Sequence, residues 1–398
     1  MPPAHFITGV TGFVGSHLTL PLLLDGARVV AMVRAADNAA ARARLLAVLQ
    51  SIDAQVEPPL HNLFVFAGDV QDAPAEIVRK LRSVFADPIH TIWHSAVTFK
   101  FRQRDLPEIE AINIGGSRNV IHTALHLNGA GPRPRYMHVS TAYSSGRLQD
   151  IVPEDIVEST PDYRGLYEWS KHKVELEVAQ FQARHKLDLT ILRPAIIVGS
   201  EGSGSVTHSG YYQVIGTIFK FYLMYKRKYG ENFDNAIHMR FEAVPHLRLN
   251  LVPIDYVVDC MVTLARKPQL RNQDLKVFNV VNEDAPVLQD IVNVVEDSLG
   301  IRGLTIVDKA EFDRFPMNAL EKVFARAISF QAPYIRENVV FETKRFRQLV
   351  SQDEVPVPVV DAEAMNRMNL DYFREIKPEL EESLEHDRAG QLEKSLQI

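Results

Sequence analysis

The chain runs to 398 residues, 46% of them apolar and 24% charged, with a formal net charge of -6 at pH 7. That length exceeds a comfortable single domain, so one large core plus a smaller domain is expected, and the negative balance argues against a nucleic-acid binder. No uninterrupted apolar run approaches about 20 residues, which excludes an ordinary spanning helix, and Met1-Pro2-Pro3 leads into an apolar stretch without a charged-then-apolar leader, so cytoplasm is the expected location.

The first element is a short apolar strand, His5-Phe6-Ile7, running into Thr8-Gly9-Val10-Thr11-Gly12-Phe13-Val14-Gly15 and then a helix. A tight turn at Gly9 calls for dihedrals closed to other residues. Gly12 would let the backbone approach a pyrophosphate, and Gly15 would let the helix pack close to the strand. The free amides and positive dipole of that helix N-terminus would attract the phosphates. A second strand, Arg28-Val29-Val30-Ala31-Met32-Val33, ends at Arg34, where a fold that prefers NAD carries Asp or Glu. Arg34, with Arg42 and Arg44 on the next helix, favours a ribose 2′-phosphate instead, hence NADPH. Further strands are predicted around Phe64-Val65-Phe66, Ile92-Trp93-His94, Tyr136-Met137-His138-Val139, Thr190-Ile191-Leu192 and Val277-Phe278-Asn279-Val280-Val281. Their alternation with helices indicates an α/β fold, a doubly wound Rossmann-type parallel sheet. Tyr167-Glu168-Trp169-Ser170-Lys171 then puts a phenol and an ammonium four residues apart, on one face of a helix. A free tyrosine has a pKa near 10, and positive charge from Lys171 would lower it.

Thr8 to Gly15 reads TGxTGxxG and resembles the opening of the extended short-chain dehydrogenase/reductase family. Val33-Arg34-Ala35 followed by Ala41-Arg42-Ala43-Arg44-Leu45 is similar to its thioester-reductase and fatty-acyl-reductase branch, the male-sterility-like NAD-binding proteins. Gly68-Asp69-Val70 resembles the family's third-strand end with its adenine-contacting Asp. His94-Ser95-Ala96-Val97 resembles an H-x-A-A motif along the cofactor, with Val97 where Ala is common. Asn113, Gly116, Ser117 and Val120 resemble N-x-x-G-T-x-x-(V/L), Ser117 replacing Thr. Val139-Ser140-Thr141-Ala142-Tyr143 is similar to the family's VSTAY, and Leu192-Arg193-Pro194-Ala195-Ile196-Ile197-Val198-Gly199 to its LRPxxVxG, whose backbone meets the carboxamide.

The resemblance implies a catalytic set of Thr141 (Ser140 as fallback), Tyr167 and Lys171. Hydride would pass from the nicotinamide to a carbonyl carbon while Tyr167 donates a proton and Thr141 polarises the oxygen; Lys171 would also hold the nicotinamide ribose. The implied cofactor-binding residues are Gly9, Thr11, Gly12, Phe13, Val14, Gly15, Arg34, Arg44, Asp69, Val70, Ser95, Ala96, Val97, Asn113, Lys171, Pro194 and Ile197. The implied substrate is an acyl thioester of coenzyme A or a carrier protein, reduced to aldehyde, with alcohol as a further endpoint. The alternatives are an NADPH-dependent ketone or aldehyde reductase with the same triad, a sugar-nucleotide epimerase, which Arg34 disfavours, and a non-catalytic NADP-binding regulator.

The expected organisation is an NADP-binding Rossmann domain over 1–205 with a later core strand near 276–282. A smaller, mostly helical substrate-binding domain over 206–350 is interleaved with core segments, and a charged C-terminal extension covers 351–398. Gly202-Ser203-Gly204-Ser205 reads as a flexible crossing between domains. The aromatics Tyr211, Tyr212, Phe219, Phe221, Tyr222 and Tyr225 read either as the lining of an acyl tunnel or as an amphipathic helix. Lys220, Lys226, Arg227, Lys228 and the later Arg240 form either its basic mouth, suited to an acidic carrier protein or coenzyme A phosphates, or a solvated edge. Cys260, the single cysteine, reads as a buried structural thiol rather than an acylated nucleophile. Metal-ligand spacing is absent, and the oligomeric state is left open.

Overall fold

The computed structural model describes residues 2–52, 58–100, 102–148, 151–159, 161–200, 207, 209–244 and 246–386. The Gly202–Ser205 crossing and residues 387–398 lie outside the described residues. In chain order the strands are β1 (Ala4–Thr8), β2 (Arg28–Val33), β3 (Leu63–Ala67), β4 (Thr91–His94), β5 (Arg135–Val139), β6 (Leu189–Pro194), β7 (Ile196–Val198), β8 (Ala236–Glu242), β9 (Leu251–Pro253), β10 (Leu275–Val280) and β11 (Arg302–Val307). The helices are α1 (Phe13–Leu24), α2 (Asn38–Ile52), α3 (Pro74–Val84), α4 (Leu106–Ile109), α5 (Gly116–His126), α6 (Leu166–His185), α7 (Tyr211–Tyr229), α8 (Ile254–Arg266), α9 (Leu288–Leu299), α10 (Lys309–Arg314), α11 (Ala319–Ala327), α12 (Lys344–Leu349) and α13 (Ala362–His386). The chain divides into two compact units, one of Met1–Ala195, Ile254–Val281 and Val340–Pro356, the other of Ile196–Pro253, Asn282–Val339 and Val357–Ile398.

The first unit is built on a seven-stranded sheet of order β10-β6-β5-β4-β1-β2-β3. Every pairing in it is parallel. Parallel strands need crossover helices that cover both faces, so their residues are apolar without alternation; β1, β4, β5 and β6 are buried along their whole length. Helices α3, α5 and α6 close one face over Ile77, Leu81, Val120, Ile121, Val174 and Val178, which share a core with Phe6, Ile92 and Tyr136. The strand order reverses direction between β1 and β4, the switch point beyond whose carboxyl ends such sheets bind ligands. Gly9 sits there with φ +73°, and a Cβ on it would lie 2.5 Å from Ala96 N and 2.6 Å from Ser95 C. The turn after β1 therefore runs against the backbone that follows β4.

The second unit packs α7, α9, α11 and α13 with two parallel strand pairs, β8 with β11 and β7 with β9. Helix α13 docks on α7 through Phe219–Phe373 stacking at 4.6 Å and a Tyr211 hydroxyl that donates to Asn369 Oδ1 at 2.8 Å. The α7 aromatics Tyr211, Tyr212, Phe219 and Phe221 are thus core. That corrects the tunnel-lining expectation for those four: Tyr211, Tyr212 and Phe219 pack on α13, some 150 residues away in the chain, and Phe221 on Phe324 of α11.

The close approach at Gly9 makes a testable contrast with Gly26, whose φ is +79° but whose Cβ would meet nothing within 4 Å. Gly26→Ala should lose only the left-handed-backbone term of about 1–2 kcal/mol. Gly9→Ala should lose that plus about 1–3 kcal/mol for overlap with β4's exit. Thermal unfolding of both variants checks the order; an equal shift would contradict the close approach.

Candidate active site

At the β1–α1 turn, Gly12 is the N-cap of α1 and makes no side-chain cap hydrogen bond, and the first turn holds no acidic residue. Gly12 is exposed, and a Cβ there would meet only Gly9 O at 3.2 Å, whereas at Gly15 it would lie 2.3 Å from that same oxygen. Helix-start amides with an open glycine above them fit a pyrophosphate. Thr11, Phe13 and Val14 flank the turn half-buried. Across from it the Ser95 hydroxyl donates to Thr8 O at 2.9 Å, which fixes the Ser95-Ala96-Val97 strand exit beside the glycines.

Arg34 is exposed at the end of β2, and Arg44 Nη1 donates to the Arg34 carbonyl at 2.8 Å. Two guanidinium groups thus belong to one strand end. Arg42 is turned away, donating to Leu63 O at 2.9 Å, and serves β3 instead. Asp69 Oδ1 accepts the Gln71 amide at 2.9 Å at the exit of β3. Val70 next to it is buried, and a Cβ at Gly116 would lie 2.6 Å from its Cγ2.

Asn113 lies in a π-helical turn, Glu110–Gly115, a distortion that recurs at functional sites. Its Oδ1 accepts Thr98 N at 2.8 Å, while its Nδ2 donates to Thr98 O at 3.2 Å and to Ser170 Oγ at 3.1 Å. Ser170 in turn donates to Tyr167 O at 2.8 Å. One amide therefore ties the loop after β4 to the first turn of α6. Phe99, on that loop, stacks on the Tyr167 ring at 5.3 Å.

Ser140 and Thr141 follow β5, and the structure distinguishes them. The Ser140 hydroxyl donates to the buried Glu175 carboxylate. Thr141 caps the turn Ala142–Ser145 by accepting Tyr143 N at 3.3 Å, an arrangement that leaves its own O–H for another acceptor. Lys171, 5% exposed, donates from Nζ to Val139 O at 2.7 Å. Burial lowers its ammonium to about 8, against an opposing pull from Glu175. Sequence spacing leads one to expect a lowered Tyr167. Instead burial, with the Glu168 carboxylate adding to it, raises the phenol well above its ordinary value. Charge from Lys171 is drawn to the β5 carbonyl, and desolvation dominates.

Pro194 ends β6 in the first unit, and Ile197 lies in β7 of the second. Burial pushes the Cys260 thiol up to about 12, which makes it inert as a nucleophile. Sequence reasoning missed Phe99, Ser170, Glu175 and the role of Arg193. Glu175 carried a signal: it stands four residues past Lys171, on the face of α6 that must meet the sheet.

A parallel sheet with a glycine turn at its switch point defines a Rossmann unit of the dinucleotide-binding kind. The chain belongs to the male sterility protein family of NAD-binding domains, whose sequence pattern matches residues 7–261. A candidate fatty acyl-CoA reductase of Drosophila melanogaster is 24% identical over 322 residues, covering 70% of this chain and 58% of that protein. The chain thus spans little more than half of that relative's length. Among solved structures, a thiolation-reductase di-domain from an archaeal non-ribosomal peptide synthetase has a TM-score of 0.72 at 18% identity, over 95% of this chain and 76% of that one. The reductase domain of a Mycobacterium tuberculosis non-ribosomal peptide synthetase has a TM-score of 0.68 at 20% identity, over 95% and 92%. These two likenesses establish the fold. Among the described residues no helix is long and apolar enough to cross a membrane.

Buried Lys171 gives a pH signature. Its folded midpoint of about 8 lies below the ordinary 10.5, so the unfolded chain binds the extra proton between those values. Stability contributed by this group should therefore rise with pH through that window, and its penalty should be complete below about 8. The apparent Tm of wild type minus that of Lys171→Met, followed across about pH 7–10, should climb; a flat difference would contradict the burial.

Proposed function

We propose that the chain is an NADPH-dependent reductase of acyl thioesters, carried on coenzyme A or on an acidic carrier protein, that yields an aldehyde and, with a second reduction, an alcohol. The observation that supports this reading is the reach of Lys171 to the carboxyl end of β5, where Thr141 follows. Lys171 is fixed there by the Val139 carbonyl, and Tyr167 stands one helical turn from it.

Gly9, Thr11, Gly12, Phe13, Val14 and Gly15 would hold the pyrophosphate. Arg34 and Arg44 would take the 2′-phosphate, Asp69 and Val70 the adenine side. Ser95, Ala96, Val97 and Asn113 would line the dinucleotide, and Lys171 and Pro194 would meet its nicotinamide end. When bound, the reduced nicotinamide supplies a hydride to the carbonyl carbon. Thr141 donates its hydroxyl proton as a hydrogen bond to the acyl oxygen, and Tyr167, kept protonated by its raised pKa, transfers a proton to that oxygen. The resulting hemithioacetal collapses to aldehyde and thiol. With Cys260 held as a thiol, the carbonyl is attacked directly rather than through an acyl-enzyme. Lys226 and Lys228, exposed on the last turn of α7, supply the positive surface that an acidic carrier would meet.

Oxidation of NADPH and NADH against acyl-coenzyme A, acyl-carrier thioesters, aldehydes and ketones tests the reading. Thioester turnover should prefer NADPH. Tyr167→Phe should lower kcat by about 10²–10⁴-fold while NADPH still binds, and Arg34→Ala should cut the preference for NADPH over NADH by about 10–100-fold. Turnover of ketones and aldehydes alone would replace thioester reduction with carbonyl reduction by the same residues. No turnover despite tight NADPH binding would favour a regulator.

A further inference from the structure

We propose that Glu175, locked by Arg193, is the positioning residue of this site: its carboxylate fixes the loop that carries Thr141 and sets the charge on Lys171. The inference rests on the reading that Thr141, Tyr167 and Lys171 perform the chemistry.

Tyr167, Lys171 and Glu175 recur every fourth residue of α6 and so share one face. Glu175 and Arg193 are both 0% exposed. A lone carboxylate at that depth would neutralise or unfold its surroundings. Here Oε1 accepts Arg193 Nε at 3.0 Å and Oε2 accepts Nη2 at 2.6 Å, a bidentate pair. Nη1 of Arg193 reaches Pro153 O at 3.0 Å, so the guanidinium is itself held. Burial alone would raise the Glu175 carboxyl; the charge and hydrogen bonds of Arg193, with the Ser140 hydroxyl, overcome it and keep the group ionised.

Two consequences follow from this one anion. Ser140 is pinned twice, by its amide to Leu192 O at 2.7 Å and by its hydroxyl to Glu175. The peptide leading into Thr141 therefore has a single orientation. The groups that act on Lys171 are Glu175 from α6, His94 from β4 and His138 from β5. Burial holds His94 down at about 3 and His138 well below its ordinary value, so both are neutral near pH 7 and add no charge. The Arg193 charge lies against the Glu175 carboxylate itself. Glu175 is then the anion that opposes the desolvation of Lys171 and keeps its ammonium protonated. Packed apolar side chains of like volume would hold this core as well as an ion pair, which argues for a role beyond stability.

The test uses the full chain labelled with ¹⁵N-lysine, with the Lys171 ammonium resonance assigned by its loss in Lys171→Met. In Glu175→Gln the Lys171 midpoint should fall by about one pH unit, and Glu175→Asp should restore most of it. In thioester turnover the alkaline limb of kcat/KM should move by the same amount, with kcat falling and KM little changed. Ser140→Ala, which keeps the ion pair and tests the loop should Glu175→Gln fail to fold, should lower kcat about tenfold without moving the Lys171 midpoint. An unmoved midpoint in Glu175→Gln, or an unchanged kcat in Ser140→Ala, overturns the inference. Wild type that turns over no thioester while the midpoint still shifts would sink the proposed function and leave the charge-setting role standing.

Discussion

An ammonium taken out of water must be held by whatever replaces the water, and the first unit is arranged around that requirement at Lys171. One backbone carbonyl, Val139 O, receives it at 2.7 Å. β5 ends there: Ser140, the next residue, still gives its amide to Leu192 O of β6 at 2.7 Å and turns its hydroxyl to Glu175. Histidines on β4 and β5 stay neutral through burial and leave the positive charge unopposed by a second cation. Desolvation brings the group to about 8, close enough to neutrality for its charge to respond to neighbours. The same desolvation raises Tyr167, which suits a proton donor rather than a base.

The dinucleotide half depends on a different constraint, backbone against backbone. Gly9 and Gly15 remove side chains where the β1 turn meets Ala96 and where α1 meets that turn, while Gly12 leaves an opening instead of a contact. The two halves are joined by Asn113, which holds the loop after β4 to α6 through Thr98 and Ser170. Under the proposed reading, that amide sets the distance between the cofactor-lining strand exit and the proton donor. The geometry is stiff because each link is a hydrogen bond between buried or half-buried groups.

The parallel Rossmann sheet and its glycine turn were legible in the sequence because both rest on local pattern: apolar runs of strand length, alternating with helices, and glycines at fixed spacing. The family likewise declared itself in short motifs spread over residues 7–261. Less legible was anything set by depth. Spacing alone suggests that Lys171 lowers Tyr167, yet burial and Glu168 outweigh it. Nothing local separates Ser140 from Thr141 as the free hydroxyl, since the choice is made by Glu175, 35 residues later. Aromatics on α7 looked like a lining until α13 supplied the partners that make them core. The run Leu192–Gly199 read as one strand and turn, but it divides at Ala195, with β6 in one unit and β7 in the other.

The proposed chemistry is direct reduction of an acyl carbonyl by groups that never become acylated. NADPH carrying deuterium at the transferred C4 position, given with a thioester substrate, tests this when the aldehyde and the intact protein are both weighed by mass spectrometry during turnover. Direct reduction leaves one deuterium on the aldehyde carbon and a protein mass unchanged throughout. An acyl adduct on the chain that forms and decays with turnover, or an aldehyde without deuterium, would contradict it.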